Sequence, residues 1–256
     1  MKRFLFLLAV VPAFAQDYAS YNNQPVARES FLRSQWPAAN VLRDPSLIAY
    51  WPLGEKADQA YDYSGHSLNG TLLGNNLPGM WISGKTGPWS AYFNKLNHNY
   101  IGVSSITIPA PFTVSAWVWP NALSGGYNRI AETLYSSGFY LGTDTAMAKW
   151  ELLVANPALS TCATGGTVTS QKWTMVTGVY DGTNGYLYVN GSVVAGPCVF
   201  SPPVTTPQSL RIGCYNSGTS CSSTNSAWDG AIEDFRIYGR ALSAAEISAI
   251  YTAENH

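Results

Sequence analysis

Trp173-Thr-Met-Val-Thr-Gly-Val-Tyr-Asp-Gly-Thr-Asn-Gly-Tyr-Leu-Tyr-Val-Asn-Gly191 is the stretch that decides the fold class. An apolar, β-branched run from Trp173 to Tyr180 meets the turn residues Asp181-Gly-Thr-Asn-Gly185. A second short run, Tyr186 to Val189, ends at Asn190-Gly191. Asn-Gly tolerates the positive φ angles that a tight hairpin requires, which makes it the strongest short-range hairpin signal. Successive hairpins of this kind belong to antiparallel sheets, not to βαβ units.

The same pattern recurs outward. Phe112-Thr-Val-Ser-Ala-Trp-Val-Trp119 alternates, with Phe112, Val114, Ala116 and Val118 on one face and Thr113, Ser115, Trp117 and Trp119 on the other; Pro120 ends it. Further strands are predicted at Trp150–Val154, Leu210–Gly213 and Ala231–Tyr238. Short strands every ~8–12 residues with Gly-rich turns indicate an all-β, two-sheet antiparallel sandwich or jelly roll. One short C-terminal helix is predicted. Ser243-Ala-Ala-Glu246 is a capping box, and Ile247, Ile250 and Tyr251 form a stripe that should dock on the sandwich.

Composition sets the boundaries. Only 11% of the 256 residues are charged and 46% are hydrophobic, which excludes a disordered polyelectrolyte. The net charge of −1 provides no basic face for nucleic acid. Lys2 and Arg3, an apolar run from Phe4 to Val11 and the small-x-small signal Ala13-Phe14-Ala15 predict a secretory signal peptide over 1–15. No membrane insertion is expected of the rest, and the protein should be extracellular or at the cell surface. Residues 16–44 form a lead segment, a tether or an arm, and 45–256 a single domain. In an oxidising compartment Cys162, Cys198, Cys214 and Cys221 should form two disulfides. Spacing favours Cys214–Cys221 across a small polar loop, with Cys162–Cys198 as the second.

Tyr50-Trp51-Pro-Leu-Gly-Glu55, Asp62-Tyr-Ser-Gly65 and Asn69-Gly-Thr-Leu72 resemble the opening of the LamG (laminin G type 3) domains of the concanavalin A-like lectin/glucanase superfamily. Phe112–Trp119, the Trp173–Gly191 stretch and Gly230-Ala-Ile-Glu-Asp-Phe-Arg-Ile-Tyr-Gly-Arg-Ala-Leu-Ser243 extend the likeness over residues ~47–251. The resemblance implies a concanavalin A-like jelly roll of roughly a dozen strands. It also implies a mostly non-catalytic module for glycans or proteins, with a structural calcium. Asp62 and Glu233 match the positions where such domains hold that calcium between the first and last strands. Read from the residues, Asp62 can instead cap its own turn, and Glu233, placed on the core-facing parity of Phe235 and Ile237, can pair with Arg240 or Lys56.

Catalysis is not expected. Glycoside hydrolysis needs two carboxylates facing one bond. Glu233 and Asp234 are adjacent and should point to opposite faces, while Glu132 and Glu151 stand alone. Asp234, Arg236 and Tyr238 suggest a polar stripe towards solvent. The aromatic residues carry the binding case, because sugar C–H faces stack on Trp and Tyr. Trp119, Tyr127, Tyr135 and Trp150 are the candidates, with Trp117 assigned to packing. The expected function is a secreted, non-catalytic carbohydrate- or surface-binding module whose partner is a glycan or an extracellular protein. A self-assembling subunit that associates through 16–44 is the alternative, and a divergent glycoside hydrolase or polysaccharide lyase using Glu132 or Glu151 is a second.

Overall fold

The computed structural model describes residues 44–121, 126–133, 138–154, 163–215, 221 and 226–255. The predicted signal peptide, residues 16–43 of the lead segment, Tyr135 and Cys162 lie outside the described residues.

Two eight-stranded antiparallel sheets form a jelly-roll sandwich. The first runs β14 (Ser192–Val199), β13 (Asn184–Val189), β12 (Thr174–Tyr180), β7 (Phe112–Pro120), β16 (Gly230–Tyr238), β5 (Ser90–Phe93), β4 (Trp81–Ile82), with β1 (Leu47–Trp51) also paired to β16. The second runs β11 (Thr164–Thr167), β10 (Lys149–Val154), β9 (Phe139–Thr143), β8 (Arg129–Glu132), β15 (Gln208–Ile212), β6 (Tyr100–Ile106), β3 (Gly70–Leu73), β2 (Gln59–Ala60). The Asn-Gly signal holds: Asn190 and Gly191 turn β13 into β14 with φ of 50° and 78°, and Asn190 Oδ1 accepts the Met175 N–H.

The alternation of β7 places Phe112, Val114, Ala116 and Val118 in the main core between the sheets, where they meet Leu141, Leu152 and Phe139 of the second sheet. Burial of these side chains contributes on the order of 25 cal/mol per Å² of apolar surface. Gly178, opposite Val114, is a close-approach point: a Cβ there would lie 2.7 Å from Leu152 Cδ1. Trp117 faces the other way, into a second apolar layer beneath the helix α1 (Ala244–Glu254). Ile247, Ile250 and Leu242 pack there against Met175, Val179 and Tyr188, and Tyr251 stacks on Trp117 at 5.7 Å. The capping box forms in full, with Ser243 Oγ accepting from Glu246 N–H and the Glu246 carboxylate accepting from Ser243 N–H.

One strand departs from strict alternation. Asp234 has φ of +52°, and the β16–β7 register shifts between Glu233 and Arg236. A bulge of this kind inserts one residue and reverses the parity beyond it. Ile232 and Phe235 therefore both face the main core, whereas Glu233 lies opposite Trp117 on the outer face. The expectation that Glu233 shares the core-facing parity of Phe235 and Ile237 is thus corrected.

The expected solvent stripe is corrected as well. Asp234, Arg236 and Tyr238 are all buried under α1. Arg236 Nη2 lies 2.6 Å from Glu254 Oε1 and 3.2 Å from Asp234 Oδ1, and Glu254 Oε2 accepts the Trp117 indole N–H at 2.8 Å. At the start of the domain, Asp44 pairs with Arg240, which also holds Glu246. The last residue assigned to the lead segment is therefore anchored to the sandwich.

Candidate functional site

The outer face of the second sheet carries a set of polar and aromatic side chains that a purely structural sheet would not need. Cross-strand register aligns Arg211 of β15, Glu132 of β8, Tyr140 of β9 and Leu153 of β10 in one row. The next row aligns Arg129, Gly142, Glu151 and Thr164. Arg129 sits at the centre. Its Nε donates to Glu132 Oε2 at 2.5 Å and its Nη1 to the Tyr127 carbonyl at 3.2 Å. Its guanidinium lies over three rings, those of Tyr215 (4.4 Å), Tyr140 (5.2 Å) and Tyr127 (5.6 Å). Such faces hold a cation by their quadrupole, most strongly when it is partly desolvated. Tyr127 and Tyr140 meet edge-on, and with Arg129 and Leu153 they line a shallow cleft.

Gly142 makes the arrangement possible. It lies between Arg129 and Glu151, and a Cβ there would lie 2.3 Å from the Asn128 carbonyl oxygen and 2.5 Å from Tyr140 Oη. Tyr140 Oη uses that space to donate to the Thr143 carbonyl. Glu151 is buried, with Oε1 accepting from Thr164 Oγ1 at 3.1 Å and Oε2 without a hydrogen-bond partner among the described residues. Burial first of all, with the Asp144 charge adding, pushes its carboxyl up to about 7 against the pull of Thr164 and Arg129. Glu132 and Glu151 therefore do not stand alone. Both belong to this cluster, and Arg129 is the missing partner of Glu132.

The four aromatic candidates separate. Tyr127 is half-buried at the cleft. Trp119 is half-buried on the first sheet, opposite Ala231. Trp150 is corrected to core: it is fully buried, on the same parity as Leu152 and Val154, with its ring 6.3 Å from that of Trp228. Tyr135 lies outside the described residues. Among the cysteines, Cys214 and Cys221 are bonded to each other and Cys198 is disulfide-bonded.

A family model described as the concanavalin A-like lectin/glucanases superfamily matches residues 95–248. The chain belongs to this superfamily.

Solved structures with the same fold are distant in sequence. Domain 4 of AbnA, a GH43 extracellular arabinanase from Geobacillus stearothermophilus, in complex with arabinotriose, is 18% identical at a TM-score of 0.62, covering 80% of this chain and 98% of that one. The binding domain of Paraclostridial Mosquitocidal Protein 1 is 15% identical at 0.57, covering 82% and 52%. The sialidase of Trypanosoma rangeli is 14% identical at 0.56; the match covers 80% of this chain but only 32% of the enzyme. Among curated proteins, none matches by sequence at a significant level.

The calcium that the superfamily resemblance implies can be tested against the donors around Asp62 and Glu233. Asp62 Oδ1 accepts from the N–H groups of Tyr50 and Ser64, and Oδ2 from the Ser64 hydroxyl and the Leu68 N–H. Glu233 Oε1 faces the N–H groups of Thr86 and Gly87 and the Thr86 hydroxyl, and Oε2 accepts the Lys85 N–H. A hard cation needs oxygen lone pairs directed at it, whereas here they are engaged by hydrogen. No partner is shared by the two carboxyls, and among the described residues no group of three or more His, Cys, Asp or Glu is placed to hold a metal. The donor sets of Asp62 and Glu233 do not fit calcium. Arg240, one of the two cations expected beside Glu233, is occupied by Asp44 and Glu246. Accordingly, 5 mM EDTA or 5 mM calcium chloride is expected to move Tm by less than about 1 °C; a calcium-induced rise of several degrees would show that a cation is bound.

The bulge has a further consequence for Glu233 and Asp234. Thr86 Oγ1 lies 2.6 Å from Glu233 Oε1 and 2.6 Å from Asp234 Oδ2. A hydroxyl has one proton, so one of these contacts requires a proton on a carboxyl. Asp234 also accepts from Tyr50 Oη at 2.5 Å and lies 3.2 Å from Arg236 Nη2. Burial, and then the Asp234 charge, push Glu233 up to about 8, which places the proton there. The two adjacent acids are therefore coupled through Thr86 and not held apart.

Proposed function

We propose that this chain is an extracellular glycan-binding module, and that its site is the outer face of the second sheet around Arg129. The observation that carries the reading is the guanidinium held among Tyr127, Tyr140 and Tyr215 at a shallow cleft, where Arg129 keeps 6% of its surface exposed. Aromatic faces give a sugar ring its C–H contacts, and the Arg129 guanidinium supplies the polar group that orients it. Membership of a lectin/glucanase superfamily supports the ligand class. An arabinotriose complex and a binding domain among the fold neighbours point the same way, although at their identity they argue through the fold alone. The Cys214–Cys221 disulfide supports an oxidising compartment. No helix among the described residues is long and apolar enough to cross a membrane.

The non-catalytic part of the reading is supported by Glu132. It is fully enclosed and ion-paired to Arg129, so it cannot reach a glycosidic bond opposite Glu151. A glycan array probed with the full chain should give binders. Tyr127→Ala removes one half-exposed ring and should weaken them at least tenfold with Tm unchanged within about 2 °C. An array without binders, or binding insensitive to Tyr127→Ala, would defeat the assignment.

A further inference from the structure

We infer that the Arg129 cleft selects saccharides bearing a carboxylate over neutral ones. The inference rests on the glycan-binding reading and names the ligand class of the same site.

The argument starts from what the guanidinium has left to give. Nε–H is committed to Glu132, and one Nη1–H to the Tyr127 carbonyl. The remaining N–H groups have no hydrogen-bond partner among the described residues, and Arg129 is part of the cleft lining. The two Nη atoms of a guanidinium form a planar fork whose geometry matches both oxygens of a carboxylate, and charge-assisted bonds of this kind are about twice as strong as neutral ones. A sugar hydroxyl can fill only one tine. Three rings within 4.4–5.6 Å and the bonds to Glu132 and the Tyr127 carbonyl hold the guanidinium in place, so little rotamer freedom is lost on binding.

The surrounding charge does not oppose an anion. Arg211 lies in the same row as Glu132, over the Tyr100 ring at 4.9 Å, and donates to the Tyr215 carbonyl at 3.0 Å. Of the buried arginines among the described residues, Arg129 and Arg211 are both here; Arg236 is beneath α1. Facing them are Glu132, which neutralises Arg129, and Glu151, which at about 7 carries little charge in mild acid. Asp144, in the β9–β10 turn, accepts the Ala148 and Lys149 N–H groups and adds a negative charge beside Glu151. The two arginines are therefore balanced by Glu132 and Asp144, and no excess negative charge repels an anion in mild acid. The preference for a carboxylate rests on the unfilled fork of Arg129.

The test is calorimetric titration of the full chain at pH 5.5 with trigalacturonate, trimannuronate and a hyaluronan tetrasaccharide, each beside its methyl ester, which keeps the sugar and removes the charge. The expected result is at least tenfold tighter binding of one or more acids than of the corresponding ester. Arg129→Lys, which keeps the charge and loses the fork, should reduce that ratio at least fivefold. Because Arg129 also partners a buried glutamate, the ester comparison on the unaltered protein decides the matter if the variant fails to fold. Equal affinity for acids and esters, or array binders that are all neutral, overturns carboxylate selection and leaves the glycan-binding reading intact. No binding by any saccharide on the array or in titration overturns both.

Discussion

Arg236→Met is expected to lower Tm by roughly 10 °C or more and to loosen the C-terminal helix. Arg236 faces two buried carboxylates, Glu254 at 2.6 Å and Asp234 at 3.2 Å, and its guanidinium lies 4.9 Å from the Tyr50 ring centre. Replacing it with a side chain of similar volume keeps the packing and leaves both acids unpaired. Breaking a buried pair from one side costs about 3–5 kcal/mol, because the charge left behind is not solvated. At ~2–4 °C per kcal/mol for a domain of this size, the shift is large. Glu254 is the last residue of α1, and its Oε2 accepts the Trp117 N–H, so the penalty falls on the contact that docks the helix. Glu254→Gln in the same background removes one of the stranded charges and should recover several degrees. Thermal unfolding by circular dichroism reads both variants; a shift below about 2 °C for Arg236→Met would mean that the network contributes nothing.

The sandwich was legible because β7, β12 and β13 obey period two and the turns between them use Asn, Asp and Gly. The capping box and the Ile247–Ile250–Tyr251 stripe were legible for the same reason: both are local. What escaped was set by single-residue departures and by distant partners. The bulge at Asp234 leaves no mark in Gly-Ala-Ile-Glu-Asp-Phe-Arg-Ile-Tyr, since Asp is only one of the residues that tolerate positive φ. One inserted residue moved Glu233 from the expected core face to the outer face, joined it to Asp234 through Thr86, and left Arg236 to be met by Glu254 from the far end of the chain. Arg129-Ile-Ala-Glu132 is too short, and too irregular between Arg129 and Ala131, to show a period. Its partners Tyr140 and Glu151 are brought in by sheet register, and Tyr215 by the loop that follows β15. Trp150 is different. Its parity with Leu152 and Val154 was available in the sequence and already pointed inward.

Stability should peak in mild acid, near pH 5, and fall by several degrees of Tm by pH 9. Three buried carboxyls hold their protons more tightly in the folded chain than in the unfolded one. Burial first of all raises Glu151 to about 7 and, helped by Asp234, Glu233 to about 8; Glu254 is also raised by burial, against the pull of Arg236. Between the ordinary carboxylate value of 4.5 and these values the folded state binds more protons, so its stability declines as pH rises. The contribution is complete below 4.5 and is lost on passing through 7 to 8. Other acids act in the opposite direction. Hydrogen bonds from Arg240 and then from the Ser243 N–H hold Glu246 at about 2; Asp181 is lowered first by the Asn184 N–H; at Asp44, Arg240 and Ser46 outweigh burial. Their contribution is present at neutral pH and is lost only as pH falls below about 4. The two sets leave a window between about pH 4.5 and 6 in which both are favourable. Glu151→Gln should flatten the alkaline limb through pH 7, and Glu233→Gln, which can still accept from the loop and donate to Thr86, should flatten it through pH 8. A Tm that rises steadily from pH 5 to 9 would mean that these carboxyls are ionised in the folded protein, and that Thr86 does not bridge a protonated pair.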